Sequence, residues 1–130
     1  MKLNAFVTIV LVSAVAGASS LTRLAKRAPT CDEAIGTACN NQDALACYTA
    51  LAFSLSEDED GRQQCSGVIS ESEGDCSCSC DCGSGALFDS LDDYTDTFTA
   101  IEDTCISEGH PGSNVYDPGA GENTIPCSLT

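Results

Sequence analysis

The sequence predicts an all-α domain, small and disulfide-rich, with three to four helices of which the last is the longest, and an irregular C-terminal tail. Three observations predict it. Apolar residues recur at spacings of three and four through residues 42–55 and again through 86–107, the period of helices with one buried face. Capping residues stand ahead of these runs. Ten cysteines, an even number, follow an N-terminal stretch with the form of a secretory signal, so five disulfides are expected. The aromatic complement is three Tyr, four Phe and no Trp, which is little for a core of this length. Bridges at about 2–4 kcal/mol each supply the stability that such a core lacks.

Taken in order, Met1 and Lys2 form a short positive start and residues 5–15 an apolar run broken by Thr8 and Ser13. Ala16-Gly17-Ala18 then carries the small residues of a cleavage site, which makes 1–18 a signal peptide. The apolar run is shorter than the roughly 20 residues a membrane span needs, and no later segment approaches that length, so no membrane span is expected. Residues 19–27 end in the dibasic pair Lys26-Arg27 and read as a pro-segment with a kexin-type site. Residues 28–130 are left as a single cysteine-rich domain. This processing layout and the cysteine-rich composition resemble those of small secreted fungal proteins, effector-like ones among them.

All 20 acidic residues lie in 28–130, where Arg62 is the only Lys or Arg, leaving a side-chain balance of −19. A chain with one cation cannot neutralise phosphates, which excludes nucleic acid and anionic membrane surfaces as partners. The acid load serves solubility outside the cell, with cation binding on an acidic face as the alternative.

Thr30-Cys31-Asp32-Glu33 has the form of a capping box, predicting a first helix over 30–39. Asn40-Asn41 stops it and caps a second helix over 42–55, whose apolar positions are Leu45, Tyr48, Leu51, Ala52 and Leu55. Tyr48 and Phe53 read as core or edge packing. The acidic run ending at Gly61 fails the calcium-loop spacing, because Gly67 falls where the bidentate Glu is required. It reads as a solvated loop in which Asp60 caps a third helix over 61–70, facing inward through Cys65, Val68 and Ile69. The longest helix is expected over 86–107, capped by Ser84 and stopped by Gly109 and Pro111. Leu87, Phe88, Leu91, Tyr94, Phe98, Ile101 and Cys105 keep its inner face. Beyond it the Gly and Pro residues mark a tail anchored by Val115, Tyr116, Ile125 and Cys127.

Between the third and last helices stands Cys76-Ser77-Cys78-Ser79-Cys80-Asp81-Cys82, the expected staple of the fold. With Ser and Asp between its thiols it shows no hydrophobic strand face, so a loop or short strand is expected, bridging two layers with Cys76 and Cys80 to one side and Cys78 and Cys82 to the other. Pairing inside the run is strained, so each member is expected to reach one of the outer six, Cys31, Cys39, Cys47, Cys65, Cys105 and Cys127, leaving one outer pair.

No G-x-S-x-G, H-E-x-x-H or P-loop occurs, the only histidine is His110 in a turn, and no Lys remains after processing. No enzyme activity and no cofactor are therefore expected. Asp75-Cys76-Ser77-Cys78 resembles the aspartate and C-x-C element of the fungal CFEM domain, a resemblance that implies haem-iron ligation by Asp75; Cys80 and Cys82 depart from that family's eight-cysteine order. The run also resembles metallothionein clusters, which hold zinc or copper on reduced thiolates and lack a signal peptide. Hydrophobins are excluded by the lack of adjacent cysteines. The reading is an extracellular binding protein, its partner an unidentified extracellular protein or cell-wall component, with an acidic metal-ion or haem carrier as the alternative.

Overall fold

The computed structural model describes residues 28–119 and 121–130, so the expected signal peptide with Ala18 and the Lys26-Arg27 site lie outside the described residues. The described chain is α+β, not all-α. It runs β1 (Thr30–Cys31), α1 (Asn41–Leu51), a 3-10 turn (Ala52–Ser54), β2 (Ser56–Glu57), β3 (Gln63–Cys65), β4 (Val68–Glu73), β5 (Cys76–Asp81), β6 (Ala86–Phe88), α2 (Leu91–Thr104), a second 3-10 turn (Ile106–Glu108), β7 (Gly112–Tyr116) and β8 (Ile125–Leu129). Every strand pairing is antiparallel. A five-stranded sheet has the order β1-β7-β8-β5-β4 and a three-stranded sheet the order β2-β3-β6.

The cysteine run is a strand interior to the larger sheet, flanked by β8 and β4. Residues two apart in a strand share a face, so the run is not divided between two sides. Cys76, Cys78 and Cys80 are all buried while Ser77, Ser79 and Asp81 point away. The cysteines are themselves the apolar face that the sequence seemed to lack, since paired sulfur packs as a buried apolar group. On the outer face hydroxyls line up in register: Ser79 stands between Ser70 and Ser128, and Ser128 opposite Ser113. Ser79 and Ser128 hydroxyls are 3.0 Å apart, and those of Ser72 and Ser77 3.1 Å.

Four disulfides tie this segment to four other parts of the chain. Cys76 joins Cys39 just ahead of α1, Cys78 joins Cys47 within α1, Cys80 joins Cys127 directly opposite on β8, and Cys82 joins Cys65 on β3. The remaining pair, Cys31–Cys105, fixes β1 to the end of α2.

Both helices pack on the cysteine face. Asn40 caps α1 by accepting from the amides of Gln42 and Asp43, and the helix buries Ala44, Cys47, Tyr48 and Leu51 while Leu45 stays exposed. Ser90 caps α2, its hydroxyl accepting from the Asp93 amide at 3.1 Å and donating to the Asp93 carboxylate at 2.7 Å. Tyr94, Phe98 and Ile101 face inward. One chain of ring contacts, Tyr48–Phe98–Tyr94–Phe88–Tyr116, with centroids 4.9–5.3 Å apart, runs from α1 through α2 and β6 to β7. Tyr94 donates to the Tyr48 carbonyl at 2.6 Å and Tyr48 to the Glu102 carboxylate at 2.8 Å.

The expected helices fail for local reasons. Residues 30–39 offer one large aliphatic side chain, Ile35, which is exposed, and include Gly36; Thr30 and Cys31 pair instead with Ser113 and Gly112. Over 61–70, Gly61 and Gly67 adopt positive φ and β-branched Val68 and Ile69 start a strand. Residues 86–88 pair with β3, so the last helix begins at Leu91 and not at Ala86. The tail is a β-hairpin at the heart of the larger sheet, with Ile125 fully buried.

Two outcomes are expected. A Cβ at Gly112 would stand 2.5 Å from Cys105 Sγ and 2.9 Å from Ile101 Cγ2. Gly112→Ala should therefore lower unfolding stability by about 1–3 kcal/mol, read from the urea midpoint at unchanged slope. An unchanged midpoint would contradict this packing.

Burial first, and then the Glu102 carboxylate, push the Tyr48 hydroxyl up to about 12; burial also raises Tyr94 and Tyr116. A group whose folded pKa is raised contributes stability that is fully present below its unfolded pKa of about 10 and is lost as pH climbs through the folded value. Phenolate absorbance should stay flat through pH 10–11 and then rise steeply with unfolding near 12. Independent titration of any tyrosine at pH 10 would contradict it.

Candidate binding cleft

An open cleft of about 570 Å3 lies where the smaller sheet meets the edge of the larger one. Its walls come from separate segments. Ser54 and Ser56 follow α1, Gln64 and Ser66 flank Cys65 on β3, Ser84 and Gly85 lead into β6, and Glu122 and Asn123 belong to the connection between β7 and β8. Buried Ala86 and half-buried Leu87 and Ile69 supply the apolar part of the lining.

Covalent and backbone links hold these segments together. The Cys65–Cys82 disulfide crosses between β3 and the end of the cysteine run. Beside it the Gly67 amide donates to the Gly83 carbonyl at 2.7 Å, and the Cys82 amide to the Gly67 carbonyl at 2.8 Å. Gly67 and Gly83 both sit at positive φ, the conformation that lets the two turns approach so closely. Asn123 completes the rim by donating from Nδ2 to the Gly85 carbonyl at 3.0 Å.

The cleft is almost without ionic groups in a strongly acidic chain. Glu122 is its one carboxylate. Arg62, the one Lys or Arg among the described residues, is committed nearby in the β2–β3 connection: its Nε lies 3.0 Å from Asp58 Oδ2 and its Nη2 3.8 Å from Asp60 Oδ2. Asp58 also accepts from the backbone amides of Arg62 and Asp60 at 2.9 Å each. These hydrogen bonds, the Arg62 amide foremost, hold the Asp58 carboxyl below the usual carboxylate range. Asp60 thus belongs to a self-closed loop and caps no helix.

The other candidate residues fall elsewhere. Asp75 is exposed in the two-residue turn between β4 and β5, its amide 3.4 Å from the Asp43 carboxylate. Among the described residues, no group of three or more His, Cys, Asp or Glu is placed to hold a metal ion. All ten cysteines are in disulfides, so the thiolate cluster of the metallothionein likeness does not form. His110 packs back on the N-terminal segment, its Nδ1 2.8 Å from the Ile35 carbonyl. No helix among the described residues is long and apolar enough to cross a membrane.

Phe53, read from the sequence as packing, is 89% exposed. It directly precedes Ser54 on the cleft wall and is the one aromatic residue among the described residues outside the ring chain of the core. The cleft residues form no linear motif, because they are gathered from four stretches by strand pairing and a disulfide. Phe53 alone carried a signal, falling off the apolar stripe of its helix.

No protein-family model matches the chain, and no curated protein or solved structure matches it at a significant level.

Proposed function

We propose that this small disulfide-stabilised protein is exported, loses residues 1–27, and acts outside the cell by binding rather than by catalysis, effector-like in its way of working. The cleft is the surface that meets the ligand. The observation that carries this reading is the cleft's chemistry: hydroxyl and amide side chains surround a single carboxylate, Glu122, with no His or Lys beside it. Glycoside hydrolysis uses two carboxylates across the scissile bond, and acyl transfer a nucleophile with its base. Five disulfides support export, since such bonds persist in oxidising compartments. The partner is an extracellular protein or a cell-wall component.

Expression of the whole chain in a secreting host tests this. Intact mass of the medium fraction should give a chain beginning at Ala28 with no free thiol. That product should bind saturably to an extracellular or cell-wall fraction without converting any of a panel of esterase, protease and glycosidase substrates. Retention inside the cell with reduced thiols, or measurable turnover, would contradict the proposal.

A further inference from the structure

We infer that the ligand of the cleft is an uncharged oligosaccharide, with Phe53, outside the lining itself but next in the chain to Ser54, as a flanking apolar contact; the inference rests on the cleft being a binding site. Each other ligand class meets a specific obstacle. An anion would approach a chain with 20 acidic residues, and Arg62, the only Arg among the described residues, is already paired with Asp58 and Asp60. A metal cation needs convergent carboxylates, and the cleft offers Glu122 alone. A purely apolar ligand would strip water from the hydroxyls of Ser54, Ser56, Ser66 and Ser84 and the amide of Gln64 without replacing its hydrogen bonds, a loss of about 1–3 kcal/mol for each group left unsatisfied.

A sugar removes that obstacle, because its hydroxyls both donate and accept, as serine hydroxyls and carboxamides do. Its rings also present C–H faces that pack on apolar side chains, for which Ile69 and Leu87 in the lining and Phe53 beside Ser54 are available. Phe53 is the telling residue. The aromatic chain of the core uses the five other rings of the described residues, whereas this one, 89% exposed, contributes almost no burial to folding. A volume of about 570 Å3 lies within the range of about 300–1,000 Å3 usual for small-molecule sites. The Cys65–Cys82 disulfide and the paired Gly67 and Gly83 turns set the walls before binding, which lowers the ordering cost that weakens flexible sites.

The test uses the exported, disulfide-intact protein with soluble glucan, mannan and N-acetylglucosamine oligomers as neutral probes, and oligogalacturonate and chitosan oligomers as charged comparators. Calorimetry gives affinity and amide chemical-shift mapping gives location. At least one neutral oligomer should shift the amides of residues 53–56, 64–66 and 84–87 in preference to both charged probes. Phe53→Ala should weaken that binding by about tenfold, at the upper end of what one aromatic contact contributes. Gln64→Ala should weaken it too, with the far-ultraviolet spectrum and thermal midpoint of both variants unchanged, because both side chains are exposed.

Three results would overturn the inference: no neutral oligomer shifting the cleft amides at millimolar concentration, binding that maps elsewhere, or both variants binding as the unaltered protein does. Capture of an extracellular protein through the cleft, together with glycan silence, would sink this inference and leave the binding proposal standing. Turnover of a neutral oligomer bound in the cleft would do the reverse.

Discussion

A strand repeats every two residues, and four cysteines spaced two apart must therefore face one way if their backbone is extended. That coincidence of chemical spacing and backbone pleat organises the molecule. Along β5 it turns a segment with no large side chain into a fully apolar face, with Cys76, Cys78 and Cys80 no more than 2% exposed. It also brings the sulfurs of Cys76, Cys78 and Cys80 to the same side of one sheet, where both helices lie, with Cys82 following just past the strand's end. Each then bonds to a different neighbour: the lead-in to α1, α1 itself, β8 and β3. The strand is thus the covalent hub of the fold, and in the sheet it is interior, between β8 and the edge strand β4.

How much of this was legible in the sequence depends on where the deciding information lay. Of the caps, Asn40 was readable, as was the inner stripe of α2 from Tyr94 to Ile101, whereas Thr30, Asp60 and Ser84 have the local form of caps but no helix follows them. The avoidance of pairing within the cysteine run follows from bond geometry and holds in the structure. What sequence periodicity could not supply was the identity of the apolar residues in β5, because cysteine between serines does not look hydrophobic until it is paired. With that segment read as a loop or short strand outside any sheet, its neighbours lost their partners and defaulted to helix. Val68 and Ile69, β-branched after a positive-φ glycine, and Ser90-Leu91-Asp92-Asp93, a second capping box, were the local signs of strand and of a later helix start. The cleft was not legible at all, since it exists only after Cys65 meets Cys82.

Charge shapes what the assembled surface can do. Twenty carboxylates repel one another and discourage collapse, which covalent closure offsets without requiring a large core. Against that acidic background the outer face of the larger sheet is mostly hydroxyl and the cleft nearly uncharged. Arg62, the one Lys or Arg among the described residues, closes the β2–β3 connection. Phe53, 89% exposed and next in the chain to the cleft residue Ser54, is then a feature that folding alone does not account for.

Disulfide connectivity tests the account most directly. Tandem mass spectrometry of the unreduced protein, fragmenting the backbone between the run's cysteines, should return Cys39–Cys76, Cys47–Cys78, Cys80–Cys127, Cys65–Cys82 and Cys31–Cys105. A bond between two members of the run, or free thiols within it, would contradict an interior strand held by outward-reaching bridges.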